Sequence, residues 1–317
     1  MRLATSGDDL TVRMNVHTVH PRAEAPPAHR RRPGWEARIA VVVVLVFGAA
    51  LSGVLLFALS GSSQTLPIQY ETTIPPTQSH PVRPFPIGIA DASEPSGLAP
   101  TAAAVPGGYV RTYASDFLGN SLPAGWEPFT GIPGGDPGGQ FAATHVTVGG
   151  GMLELNAWRD PAYAMKWVTG GLCHCGHPQL YGAYFVRSRV TGPGPNDSQL
   201  LWPVGNIWPP EIDFNETGAT DLGTSWTVHW GADNSIQQGH LRVDMTQWHT
   251  WGVIWTPTVI TFTVDGLLWG RFTIPSAIST LPMTLDLQQR TGCTTGFVCP
   301  TAPESMLVDW VTEYTHA

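Results

Sequence analysis

The sequence predicts an all-β fold in which two sheets pack face to face as a sandwich or jelly roll. Three observations carry that prediction. Glycine (35 residues) and proline (29) recur throughout the 317-residue chain, as turn-rich β proteins require. From Ser115 onward, short runs rich in Val, Ile, Thr and aromatic residues alternate with those turns. No run of ten or more residues there keeps an apolar period of 3.6, and no repeat of fixed period points to a propeller or solenoid.

The first element is a basic tail, residues 1–38. It holds seven Arg and four acidic residues, a sum of +3 against −8 for the whole chain, which leaves −11 on the remainder. An acidic main body disfavours DNA, RNA and sulfated glycans, so no nucleic-acid partner is expected. Residues 39–60 read as a transmembrane signal anchor. Ile39 to Leu59 carries no charge, and at ~1.5 Å per residue such a helix spans about 30 Å, one hydrocarbon core. Arg30, Arg31, Arg32 and Arg38 precede it and a neutral GSSQTLP follows. The positive-inside rule then leaves the tail in the cytoplasm and the rest outside. The expected location is the cell membrane, single-pass with an extracellular C-terminal domain. Cleavage at small residues near Ala49 or Ser60 would make the protein secreted instead. Residues 61–107, with TTIPPT, HPVRPFPI and SEPSGLAPTAAAVPGG, read as an extended Pro/Ser/Thr-rich linker.

The last element is a domain over residues 108–317. Its strand-like runs lie at 145–158, 181–190, 225–230, 248–255, 259–272, 283–289 and 305–314. Asp265-Gly266 sits between two β-rich runs and predicts a hairpin with a type I′ turn. Gly149-Gly150-Gly151 predicts another turn and not a phosphate loop, because no Lys-Ser/Thr follows. About a dozen strands need two packed sheets.

Four cysteines, Cys173, Cys175, Cys293 and Cys299, fall in this domain. An even count on the outer side of a membrane favours disulfides, and three pairings are open. Cys293 and Cys299 are near enough to close a short loop. A direct Cys173–Cys175 bridge would be tight around His174. Cys173-His174-Cys175-Gly176-His177 also holds metal-ligand residue types. Its spacing matches no common zinc pattern, and an oxidising location removes thiolates.

The chemistry concentrates in Trp208-Pro209-Pro210-Glu211-Ile212-Asp213-Phe214-Asn215-Glu216. In a strand, Glu211 and Asp213 share one face while Ile212 and Phe214 take the other. Glu216 has the wrong parity for the acid face. A β-bulge at Phe214-Asn215 restores it. The two Glu then stand about four steps apart, ~13 Å of backbone. Their long side chains can lean inward over Asp213 towards the ~5–5.5 Å carboxyl separation of retaining glycosidases. Three close carboxyls cannot all ionise freely, so at least one keeps its proton to higher pH. Like charges on one strand face repel, so a strand without a task has little reason to collect them.

This segment resembles the signature of glycoside hydrolase family 16, E-[I/V]-D-x-x-E, in its bulged, laminarinase-like form. The resemblance continues in order along residues 115–315. Tyr181 to Arg187 is similar to the family strand before the acids, and Leu201-Trp202-Pro203, Asn206 and Trp208-Pro209 to its tryptophan-rich approach. Thr227 to Gly231 resembles the strand after them. Asp244 to Gly266, Pro282-Met283 and Val308-Asp309-Trp310-Val311 continue the match. Pro210 stands where many relatives have Gly, and Asn215 where Met is common.

The resemblance implies a concanavalin-like β-jelly-roll with a sugar-binding cleft and a retaining mechanism on a β-linked polysaccharide. By motif, Glu211 is the nucleophile, Asp213 the assisting acid and Glu216 the acid/base. Sugar faces stack on exposed aromatic rings, so Trp202, Trp208 and Trp230 are expected at subsites. His229 is expected to hydrogen-bond substrate or nucleophile, and Asn206 and Gln288 to bind sugar hydroxyls. Some family members hold a structural Ca²⁺ away from the acids, and Asp309 matches a side chain used there. No catalytic cofactor is expected. The partners expected are the polysaccharide and, through the N-terminal helix, the membrane; the protein itself is read as a monomer. The leading function is extracellular endo-hydrolysis of a β-1,3- or mixed β-1,3/1,4-glucan. A transglycosylase or β-galactan hydrolase on the same scaffold is the alternative. A non-catalytic glycan-binding lectin is the alternative from another class, and it has no need of paired carboxylates.

Overall fold

The computed structural model describes residues 68–69, 108–218, 220–294 and 299–316. Chain contacts divide the protein into Met1–Ser62 and Ser63–Ala317, and every described residue belongs to the second unit. The basic tail read at 1–38 and the anchor read at 39–60 lie outside the described residues. So does the linker read at 61–107, apart from Ile68–Gln69. Among the described residues, no helix is long and apolar enough to cross a membrane.

The described residues form mostly strands. They are β1 (Ile68–Gln69), β2 (Tyr109–Ser115), β3 (Glu127–Pro128), β4 (Val146–Gly149), β5 (Met152–Asp160), β6 (Lys166–Val168), β7 (Gly171–Cys173), β8 (Gly182–Val190) and β9 (Asn196–Pro203). There follow β10 (Glu211–Thr217), β11 (Thr224–Trp230), β12 (Ser235–Leu241), β13 (His249–Trp255), β14 (Ile260–Val264), β15 (Leu267–Phe272), β16 (Met283–Arg290) and β17 (Glu304–His316). One sheet has the order β1-β12-β11-β10-β9-β16-β7-β3. The other runs β15-β14-β13-β8-β17-β5-β4, with β2 also on β17 and β6 on β5. This is the two-sheet sandwich expected. One detail differs: Ile68–Gln69, within the stretch read as strandless linker, pairs in parallel with β12.

Alternation explains how the sheets meet. Ile212 and Phe214 of β10, Leu285 and Leu287 of β16, and Val228 of β11 join one buried cluster with Val186, Val253 and Phe262 from the opposite sheet. Their neighbours in sequence then face away from that core, as a period of two dictates. Trp226 stacks on Phe262 with ring centroids 4.6 Å apart. The backbone allows this because Gly239 and Gly270 lie against the indole, where a Cβ at either would collide with Trp226 Nε1. The β14–β15 turn is of the expected kind: Asp265 (φ 48°) and Gly266 (φ 76°) are both left-handed, as type I′ requires. Gly150 and Gly151 also have positive φ and turn the chain from β4 into β5.

The cysteines form two bridges, Cys173–Cys175 and Cys293–Cys299. Of the three pairings open in the sequence, this is the one that joins near neighbours.

Candidate active site

The site is built on β10. Glu211 faces His229 across the β10–β11 pair, and Asp213 faces Thr227. The register then slips, and Glu216 comes opposite Ser225. On the other edge, Asp213 pairs with Leu200 and Asn215 with Gln199. Both neighbours therefore find one extra residue between Asp213 and Glu216, which is the bulge the acid spacing demanded. Phe214 stays in the core, fully buried. Glu216 is returned to the face that carries Glu211 and Asp213.

The three acids sink below the surface. Glu211 is 9% exposed and Asp213 2%. Trp208 Nε1 donates to Glu211 Oε2 at 2.7 Å, which fixes the carboxylate from above. His229 Nε2 lies 3.4 Å from Asp213 Oδ2, and its Nδ1 is 2.8 Å from Asn234 Oδ1. Glu216 Oε1 accepts from Arg290 Nη2 at 3.1 Å and from Asn196 Nδ2 at 3.4 Å. A cavity of about 490 Å³ opens beside Glu216, bounded by Asn196, Thr224, Ser225, Gln238 and His240 among others.

Electrostatics separates the acids. Burial, then the charges of Glu211 and Glu216, push Asp213 well above the usual carboxylate range. Burial also raises Glu216, and Arg290 pulls part of that rise back. Burial pulls His229 down, but the hydrogen bond and charge of Asp213, with Asn234 and Glu211, outweigh it and hold His229 at about 9. These shifts share an origin: excess negative charge in a buried place makes the cluster retain protons.

Most of the sequence-predicted neighbours converge here. Trp202 pairs with Thr284 in register, and its Nε1 donates to Asn206 Oδ1 at 2.8 Å. Trp208 is 44% exposed, with its ring centroid 5.9 Å from that of His229. Gln288 pairs with Ser198 and, by alternation, shares the face of Arg290. Trp230 is a correction. It follows His229 and so points the other way, where it packs on Phe272 of the opposite sheet with centroids 5.3 Å apart. It is a partly buried neighbour of the core and not a subsite wall.

Sequence reasoning missed Asp286 and Arg290. Both lie on β16, whose polar residues Thr284, Asp286, Gln288 and Arg290 alternate with buried Met283, Leu285 and Leu287. That alternation was the available signal. Asp286 is pushed well above the usual range by burial; Thr284 opposes the shift and Glu211 adds to it.

A family model described as "Glycosyl hydrolases family 16" matches residues 142–311, more than half of the chain. The chain belongs to glycosyl hydrolases family 16. Within it, the chain is similar to a curated "Beta-glucanase" of Rhodothermus marinus, 28% identical over 145 residues, which are 40% of this chain and 50% of that protein. It is also similar to "Endo-1,3-1,4-beta-glycanase ExsH" of Rhizobium meliloti (strain 1021), 32% identical over 108 residues, 31% of this chain and 22% of that one. The matches thus span between about a fifth and a half of these relatives. Among solved structures, the laminarinase from Rhodothermus marinus shares the fold with a TM-score of 0.59 at 23% identity, covering 66% of this chain and 98% of that one. The laminarinase catalytic domain from Thermotoga maritima MSB8 does so at 0.59 and 16%, covering 67% and 100%.

Family 16 membership raises the question of calcium at Asp309. The buried carboxylate of Asp309 has Arg187 Nε 3.7 Å from its Oδ2.

Proposed function

We propose that this family 16 domain is a retaining endo-β-glucanase acting on a β-1,3- or mixed β-1,3/1,4-glucan. The observation that carries the reading is the bulge, which puts Glu211 and Glu216 on one face with a buried, proton-retaining Asp213 between them. That arrangement suits double displacement. Glu211 attacks the anomeric carbon and forms a glycosyl ester while the glycosidic C–O bond breaks. Glu216, protonated, gives its proton to the leaving oxygen. As carboxylate it then takes a proton from water, whose oxygen attacks the same carbon and releases Glu211. Asp213 and His229 hold the proton balance between the two Glu. Trp202 and the exposed Trp208 supply stacking faces for sugar rings, and Trp208 also orients the nucleophile. The chemistry needs no cofactor. The glucan assignment draws on the names of the similar relatives, a beta-glucanase and an endo-1,3-1,4-beta-glycanase.

The test uses the full chain with laminarin, lichenan, curdlan, agarose and xylan, reading products by mass spectrometry and anomeric configuration by proton NMR. Short oligosaccharides released first as the β-anomer from a glucan are expected. Glu211→Gln should keep the melting temperature and lose turnover by more than about 10³-fold, the scale of losing a nucleophile. An α-anomer first, or full activity in Glu211→Gln, would overturn the mechanism. Products longer than the starting oligosaccharide would make it a transglycosylase.

We also propose that the enzyme works outside the cell, held by the apolar segment at 39–60. Protease digestion of intact cells should remove the domain, and detergent should be needed to extract the full chain. A domain protected until lysis would count against that location.

A further inference from the structure

The motif Cys173-His174-Cys175-Gly176-His177 plays no part in the glucanase chemistry, yet the fold gives it a partner. Glu313, on β17 and 139 residues beyond His174, reaches it between the sheets. His174 Nδ1 is 2.7 Å from Glu313 Oε1, and His177 Nδ1 is 2.7 Å from Glu313 Oε2. The two imidazoles stack with centroids 5.1 Å apart. Glu313 is fully buried and His174 nearly so, while the side chain of His177 is 31% exposed. The Cys173–Cys175 bridge encloses His174 in the smallest loop that two cysteines can make around one residue. Tyr113 and Trp126 pack on its ring at 4.1 and 4.7 Å between centroids. The histidine is thus walled in on a fixed backbone.

A fully buried carboxylate needs positive charge close by. Among the described residues, the groups facing it are the two imidazoles, Gln179, whose Nε2 donates to Oε2 at 3.4 Å, and the phenols of Tyr184 and Tyr113. Among the described residues, no Lys or Arg is paired with Glu313. Two imidazoles and a carboxylate are a familiar donor set for zinc and its borderline neighbours. One ligand atom from each residue lies within 4.8 Å of the others. Ligands about 2.1 Å from a tetrahedral ion stand about 3.4 Å apart, so closing the set takes no more than about 1.4 Å between any pair. The exposed edge of His177 gives an entry path and room for a water as fourth ligand.

We propose that His174, His177 and Glu313 form a structural binding site for one zinc-class divalent ion, which ties the loop after β7 in one sheet to β17 in the other. The ion takes the place of the imidazole–carboxylate hydrogen bonds, and protons compete with it for the imidazole nitrogens, so binding weakens in acid. Calcium, which prefers six or more oxygen ligands, is excluded by the two nitrogens. The site is separate from the glucanase cleft and does not depend on that reading.

The experiment uses the full chain, purified without reductant or chelator, so that the disulfides persist and no thiolate competes. Zinc chloride is titrated in, with bound metal measured after gel filtration. One zinc per chain is expected, with a melting temperature raised by roughly 5–10 °C at a hundredfold excess over Kd, and no change with calcium chloride. His177→Ala and Glu313→Gln should lose the bound zinc. His177 is part-exposed, so His177→Ala tests the site even if Glu313→Gln fails to fold. Glu211→Gln should keep the zinc, because the other His–carboxylate group, Glu211, Asp213 and His229, lies in the cleft. Absence of stoichiometric zinc, its retention in His177→Ala, or its loss in Glu211→Gln would overturn the proposal.

Discussion

At the scale of single residues, the site works by pairing each carboxylate with a different partner. Trp208 holds Glu211 by its indole N–H, His229 faces Asp213, and Arg290 faces Glu216. The last pair sets a pH dependence. Burial raises Glu216, and Arg290 opposes the rise. In the mechanism proposed above Glu216 is the general acid and must be protonated to act, so activity should fall as pH climbs past its pKa. Arg290→Gln removes the opposing charge, and Glu216 then keeps its proton to higher pH. The alkaline limb of the kcat/KM profile should therefore move upward, with the acid limb little changed. An alkaline limb that stays in place would remove Arg290 from this role. The shared face of the three acids was legible in the sequence because strand parity and a known pattern both mark it, whereas His229, expected to bond substrate or nucleophile, faces Asp213. Trp230 was misplaced because its neighbourhood to His229 in sequence outweighed the parity that sends it to Phe272. Asp286 and Arg290 went unread because no compact motif marks them. They reach the acids only through the pairing of β16 with β9, which lies far away in sequence.

At the scale of elements, β10 owes its chemistry to one surplus residue. Removing Asn215 would make the strand regular, and a period of two would still leave the second glutamate on the face of Glu211 and Asp213. The shortened enzyme should fold and keep measurable turnover, with its two glutamates still about four strand steps apart. Deleting Ile212 instead throws Glu211 and Asp213 onto opposite faces. That variant should lose turnover entirely and should also melt lower, because an apolar core position is vacated. Thermal melts and product assays on the pair check this, and equal activity in both would contradict the parity argument. The bulge could be inferred from sequence because the residues on either side of it have fixed tasks, acid or core. The short pieces β3, β6 and β7 could not. At two or three residues each, they are too short to show any alternation, and only tertiary pairing defines them.

At the scale of the whole molecule, several carboxyls are buried in the sheets. Burial raises Asp197 to about 7, against the hydrogen bonds of Gln289 and Thr217. Burial, then the charge of Asp197, raises Glu304 well above the usual range. One side-chain amide, Gln289 Nε2, donates to both, at 2.9 and 2.8 Å. An acid whose folded pKa is raised binds its proton more tightly in the folded state. Its share of stability is present below the unfolded pKa and is lost as pH rises towards the folded one. For Asp197 that window runs from about 4 to about 7. The domain should melt higher at pH 5 than at pH 8, and Asp197→Asn should flatten the difference. A melting temperature that climbs from pH 5 to pH 8 would refute this. The sandwich itself was legible from turns and alternation, but strand order was not, since pairing between distant strands leaves no local trace. That order has one more consequence. β17, the last strand described, lies inside its sheet, with β8 along one edge and β5 and β2 sharing the other. The sheet stays split until residues 304–316 have left the ribosome. A nascent chain that lacks them has β8 and β5 with no strand between them, so this sheet is the last part of the sandwich to close.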